Sequence, residues 1–290
     1  MSKQCHEADT SEVHASSSWL FSSTTTNEVF QRHGERRITG AKRAKDEITS
    51  GVGGSADKQA SRHELRKFAV FDIDGTLIRW QLYHAVVHKL GKVGQLGPGD
   101  FEAINAARME WKNRHDTEGF HIYENEVVER LKTALPHIDP AVYDQVAEEV
   151  FDEYKDQTFT YTRNLVTELK TKGYLLFAIS GSPQEVIELL AKHHGFDDAI
   201  SGTFERLNGQ FTGKYATPIF NKKSALDSLI EKHGATYDES YAVGDSASDI
   251  SLLEAVTHPI AFSPDQNLYR AAKKRNWPII VERKNVVYEL

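Results

Sequence analysis

Hydrophobic residues are distributed along the chain in two distinct ways. Lys67 to Phe71, Tyr174 to Ile179, Ser240 to Val243 and Pro259 to Phe262 are short, near-continuous apolar runs with no polar alternation. That pattern predicts strands buried on both faces of a sheet. Helical spacing fills the intervals, from Tyr161 to a stop at Lys172-Gly173, from Asn221 to His233 before Gly234, over Asp249–Val256 and over Gln266–Arg275. Thr203 to Thr212, centred on Asn208-Gly209, predicts a hairpin, and Pro278 to Val281 a last short strand.

Strands alternating with helices imply parallel strands with helices on both faces, an α/β fold with a Rossmann-like sheet. The first two strands are separated by far more chain than a crossover helix needs. Candidate helices near Tyr83–Leu90, Phe101–Arg114, Tyr123–Ala134 and Pro140–Tyr154 occupy that interval, with a glycine-rich loop at Gly91–Asp100. Residues 67–77 and 158–290 are therefore expected to form the core, and 78–157 an inserted helical cap. Residues 1–66 carry serine, threonine and glycine clusters without a sustained period, and are expected to be a disordered polar tail.

Composition narrows the function. The chain has 290 residues, of which 39% are hydrophobic. Ten of the 35 basic and nine of the 42 acidic residues fall in the first 66, so the rest carries a net charge of about −8. An acidic balance argues against a nucleic-acid binder. Cys5 is the only cysteine, which excludes an intrachain disulfide and a cysteine zinc site and fits a cytoplasmic protein. No run approaches the roughly 18 apolar residues of a membrane helix, and the N-terminus lacks a signal-peptide core.

The chemistry gathers where strands break. Asp72 and Asp74 lie two residues apart at the end of the first strand, before Gly75 and Thr76. Two carboxylates so close repel, and a hard cation such as Mg2+ resolves the conflict by taking one or two of them beside a substrate phosphate. An Asx-turn is the alternative. Ser180, followed by Gly181, sits at the tip of the second strand, where a hydroxyl and the following N–H groups can hold a phosphate oxygen or simply make a turn. Ser182, Pro183 and Glu185 read as a capping box for the next helix. Lys222 heads the apolar stripe of Leu226, Leu229 and Ile230, from which a lysine ordinarily snorkels to solvent. Asp245 ends a third strand and supplies another oxygen ligand, while Asp249 pairs with Ser246 as a capping box at least.

These residues, taken together, resemble the four motifs of the haloacid dehalogenase superfamily and its phosphoserine-phosphatase-like branch. They stand in the family's order as Asp72 to Thr76, Ser180, Lys222 and Gly244 to Asp249, and the resemblance runs from about Lys67 to Val281. It implies Asp72 as nucleophile, Asp74 as general acid and base, and Ser180, Gly181 and Lys222 as phosphate-binding groups. Mg2+ would lie on Asp72, the Asp74 carbonyl and Asp245, with Asp249 next to it or joined through water. Within the cap, Arg130 falls where the serine phosphatases place a carboxylate-binding arginine. Gln81 stands where they carry an amine-binding glutamate, and its lost charge speaks against phosphoserine as substrate.

The expectation is a Mg2+-dependent phosphomonoesterase acting on a small phosphorylated metabolite through an aspartyl-phosphate. A phosphotransferase with the same intermediate, phosphoserine phosphatase proper, and a non-catalytic binding module on this fold are the alternatives. A nucleotide-cofactor protein lacks its glycine-rich turn after the first strand. The sequence says nothing about oligomeric state.

Overall fold

The computed structural model describes residues 66–116, 118–284 and 286–290. The expected N-terminal tail lies outside the described residues, apart from Arg66. Strand β1 (Arg66–Phe71) runs through the middle of an eight-stranded sheet, as its uninterrupted apolar run requires. Phe68 and Val70 point into one buried cluster and Ala69 and Phe71 into the other, so both faces of the strand are covered. Parallel neighbours are β2 (Leu175–Pro183) on one side and β5 (Ala235–Gly244) on the other. Beyond them β3 (Asp198–Leu207), β6 (His258–Phe262) and β7 (Ile279–Arg283) continue the parallel array.

Two antiparallel strands close the edges, giving the order β4-β3-β2-β1-β5-β6-β7-β8. Strand β4 (Gln210–Ala216) is the return arm of the expected hairpin, whose Asn208 and Gly209 both take positive φ, 52° and 76°. Strand β8 (Val286–Glu289) pairs with β7 and extends the sheet past the expected last strand at Pro278–Val281. All four of its residues are exposed, so no burial pattern marks it in the sequence.

Helices α1 (Leu82–Lys92), α2 (Pro98–Asn113), α3 (Gly119–Ala134) and α4 (Pro140–Tyr154) lie between β1 and β2. The glycine-rich loop is shorter than expected, because Pro98 starts α2 at a position where its missing N–H costs nothing. This helical excursion leaves and rejoins the sheet through a short antiparallel bridge. Arg79 N–H donates to Gln157 O at 2.9 Å and Phe159 N–H to Leu77 O at 3.0 Å. Glu282 of β7 fastens the same junction, accepting from Arg79 and from the N–H groups of Thr160 (3.1 Å) and Tyr161 (2.8 Å) at the head of α5 (Thr160–Thr171).

Helices α1 to α5 and α6 (Gln184–His194) bury their apolar stripes with one face of the sheet. The other face is covered by α7 (Lys222–His233), α8 (Ile250–Leu253) and α9 (Gln266–Arg275). The helix expected over Asp249–Val256 is reduced to a 3-10 turn at Ala247–Asp249 followed by the short α8. Among the described residues no helix is long and apolar enough to cross a membrane.

Candidate active site

The carboxyl ends of β1, β2 and β5 meet at one rim of the sheet, where ligands bind in open α/β folds. After β1 the backbone turns sharply, with the N–H groups of Thr76, Leu77 and Ile78 all donating to Ile73 O. Gly75 makes this turn at φ +80°, and a Cβ there would stand 2.1 Å from Asp245 Oδ2. Glycine is thus needed both for the dihedral and for the approach of Asp245.

Asp72, Asp245 and Asp249 offer carboxylate oxygens within 4.8 Å of one another. Lys222 is the counter-charge. It is 2% exposed and donates to Asp72 Oδ1 and Asp249 Oδ1, each at 2.6 Å. The snorkelling expected of a lysine at the head of an apolar stripe does not occur, because two buried carboxylates provide what water would have provided. Burial opposes the lysine's charge, but Asp249 and Asp72 outweigh it and hold the ammonium protonated.

The three acids are not equivalent. Asp249 is saturated by donors, since Oδ2 accepts from Asp245 N–H (3.2 Å) and from Ser246 N–H and Oγ (3.1 Å each), completing the expected capping box. Asp245 has no hydrogen bond to its carboxylate among the described residues. Burial pushes its carboxyl well above the usual range, and the charges of Asp72 and Asp249 push further. Burial likewise lifts Asp72 to about 7, against the pull of Lys222 and with the push of Asp249 and Asp74. One lysine serves three clustered acids, which leaves negative charge for a cation to neutralise. No loop hydrogen bond among the described residues ends on the Asp74 carbonyl, so it too can ligate. The donor set is all oxygen and includes an unpartnered carboxylate, and it fits a hard divalent ion.

Asp74 directs its carboxylate elsewhere. Oδ1 accepts from Leu82 N–H at 2.6 Å, in the first turn of α1, and Oδ2 accepts from Ser180 Oγ at 2.7 Å. Burial raises this carboxyl, while the bonds from Leu82 and Ser180 counteract it. Ser180 is fully buried, and its Oγ also accepts from Ser182 N–H at 2.9 Å. Gly181 follows in the same bulged tip of β2, where the pairing with β3 shifts register.

Several expectations change. Ser182 does not cap α6. Strand β2 runs on through Pro183, and Ser182 Oγ accepts from Tyr83 N–H at 2.9 Å instead, tying β2 to α1. Glu185, its expected capping partner, binds Arg206 at 2.7 Å. Arg130 on α3 is not brought to the carboxylate cluster by any contact; its guanidinium pairs with Glu126 (2.7 Å) and Asp100 (2.9 Å). Gln81 stands at the head of α1, one residue before the N–H that binds Asp74. Tyr215, which the sequence reading passed over, donates its hydroxyl to Gly181 O at 2.9 Å. The only signal for it was the period-two pattern that sets Phe211 and Tyr215 on one face of β4.

Residues 69–254 match the haloacid dehalogenase-like hydrolases. The chain belongs to that family. It is 27% identical over 210 residues to a phosphoserine phosphatase of Mycobacterium tuberculosis, covering 71% of this hydrolase and 46% of the relative. The chain thus spans less than half of that protein. It is also 27% identical over 232 residues to a histidinol-phosphatase of Neisseria meningitidis, covering 74% of this hydrolase and 99% of the relative. A solved phosphoserine phosphatase, described as a phospho-aspartyl intermediate analogue, shares its fold with a TM-score of 0.52, at 19% identity over 77% of this chain and 96% of that one.

Proposed function

We propose that this hydrolase is a Mg2+-dependent phosphomonoesterase of small phosphorylated metabolites, with Asp72 as the nucleophile. The observation that carries the reading is the division of labour between two acids two residues apart. Asp72 lies with Lys222 and the metal-ligating oxygens, while Asp74 lies with Ser180 and α1. One can attack and the other can move a proton. The relatives named as phosphatases point the same way.

Asp72 Oδ attacks phosphorus, a P–O bond forms, and the bond to the leaving alcohol breaks. Asp74, its carboxyl raised by burial, gives that oxygen its proton. In the second step Asp74, now ionised, takes a proton from water as the water attacks phosphorus, and the bond from phosphorus to the Asp72 oxygen breaks. Lys222, the Ser180 hydroxyl and the Gly181 N–H offset the phosphoryl charge in both steps. Mg2+, held by Asp72, Asp245 and the Asp74 carbonyl with the donor-saturated Asp249 beside them or reached through water, would supply the positive charge that lets a carboxylate approach an anionic ester. Residues 78–157 serve as a cap that excludes water during the first transfer.

A panel of phosphorylated metabolites and an aryl phosphate, assayed with Mg2+ and with chelator, tests the reading. Metal-dependent phosphate release that Asp72→Asn abolishes supports it. Release insensitive to chelation or to that substitution overturns it.

A further inference from the structure

Tyr215 stands on β4, an edge strand outside the four motifs, yet its hydroxyl reaches the tip of β2. Three strands converge there. Tyr215 Oη donates to Gly181 O at 2.9 Å. That carbonyl belongs to the same peptide unit as Ser182 N–H, which donates to Ser180 Oγ at 2.9 Å. Ser180 Oγ in turn donates to Asp74 Oδ2 at 2.7 Å. The peptide unit is held at both ends, its oxygen by Tyr215 and its N–H by Ser180.

Strand β3 leaves room for this contact. Gly202 lies between β2 and β4, and a Cβ there would stand 2.7 Å from Gly181 O and 2.8 Å from Tyr215 Oη. Any larger residue would wedge the two atoms apart. The ring is clamped as well, stacked on Phe204 at 4.9 Å and edge-on to Tyr83 at 6.5 Å. Tyr83 N–H is the donor to Ser182 Oγ, so Tyr215 reaches the loop directly at Gly181 O and indirectly through its ring contact with Tyr83. Burial pushes the Tyr215 hydroxyl up to about 12, which keeps it a donor throughout the neutral range.

We infer that Tyr215 is a positioning residue for the phosphate-binding loop: by fixing the Gly181–Ser182 peptide it fixes the Ser180 hydroxyl that grips the transferred group. The proton on Ser180 Oγ is the only one that oxygen has, and the Ser182 N–H occupies one of its lone pairs. The hydroxyl is therefore constrained to donate forward, to Asp74 here and to a phosphoryl oxygen when substrate is bound. Releasing the peptide removes that constraint. This role rests on the phosphatase reading above only for its catalytic consequence; the constraint on the peptide stands by itself.

Two readouts test it. Tyr215→Phe removes one oxygen and keeps the ring between Phe204 and Tyr83. In a double-mutant cycle, Tyr215→Phe is expected to lower kcat/KM about three- to tenfold, the size of one neutral hydrogen bond. In a Ser180→Ala background it is expected to do nothing more, because the group it positions is gone. Hydrogen exchange followed at the Ser182 amide supplies the second readout, independent of activity. It is expected to speed up in Tyr215→Phe while amides in β1 and β5 keep their rates. Additive effects on kcat/KM, or an unchanged Ser182 exchange rate, overturn the inference. Faster Ser182 exchange in a protein that releases no phosphate upholds the positioning role and overturns the phosphatase reading instead.

Discussion

Asp245 is the acid that the fold holds at a cost. Its backbone is well used, the N–H donating to Asp249 and the carbonyl accepting from Asp265 N–H at 2.8 Å, but its carboxylate faces two others without a donor. Two unit charges 4.8 Å apart repel by about 3.5 kcal/mol at an effective dielectric of about 20. Lys222, bonded to both neighbours, offsets much of that, and Asp245 keeps partial contact with solvent. A net penalty of about 1–3 kcal/mol remains. Asp245→Asn keeps shape and backbone bonds and removes the charge, so it should stabilise the metal-free protein. At about 2–4 °C per kcal/mol for a domain of this size, thermal unfolding in chelator should rise by roughly 2–12 °C.

The sign with pH follows from the raised carboxyl. A group whose proton is held more tightly in the fold than in the unfolded chain costs stability above its unfolded value. The gain from asparagine should be largest near neutral pH, shrink as pH falls, and vanish only below 3.8, where the unfolded carboxyl too becomes protonated. Adding Mg2+ should reverse the ranking. The wild type gains about 4.1 kcal/mol at a thousandfold excess over Kd, more than the penalty, and the variant gains little. Calorimetry of both proteins with chelator and with Mg2+ makes the comparison. A variant that melts lower in chelator, or that responds to Mg2+ as the wild type does, would refute the reasoning.

Two further outcomes follow. Asp74→Asn should lower kcat/KM, which reports the first transfer and not the later hydrolysis, by about a hundredfold or more for alkyl phosphates and far less for aryl phosphates, because only a poor leaving group needs the proton; equal losses of kcat/KM on both would remove Asp74 from that role. His84, 3% exposed against Phe120 and Tyr123, is driven down to about 3 by burial, with His88 and Arg108 adding to it. It stays neutral in the fold while the unfolded chain protonates below about 6.5, so stability is complete above that pH and falls below it. The loss at pH 5 is about 2 kcal/mol from this residue. Urea unfolding at pH 7 and pH 5 should show the drop in the wild type and a smaller one in His84→Phe; parallel slopes would contradict the assignment.

The sheet was legible because its strands are buried on both faces, so the runs at Phe68 and Leu175 needed no partner to be recognised. The acids at their ends were legible for a related reason, since a carboxylate beside a glycine after such a run has little structural use. Lys222 was ambiguous: a lysine on an apolar stripe looks the same whether it reaches water or two carboxylates 27 and 150 residues away. Ser182 misled because its spacing to Glu185 satisfies a cap rule locally, while the N–H it binds belongs to Tyr83, 99 residues earlier. Strand β8 and Tyr215 depend on pairing at the sheet's edges, and edge pairing leaves almost no mark on hydrophobic pattern.

The claim on which the account turns is that Asp72 carries the phosphoryl group. Rapid quenching of the enzyme during turnover with Mg2+ and substrate, borohydride reduction and peptide mass spectrometry test it directly. An acyl phosphate at Asp72 predicts homoserine at position 72, absent with chelator and absent in Asp72→Asn. Steady phosphate release with Asp72 unmodified, or reduction at another carboxylate, would contradict it.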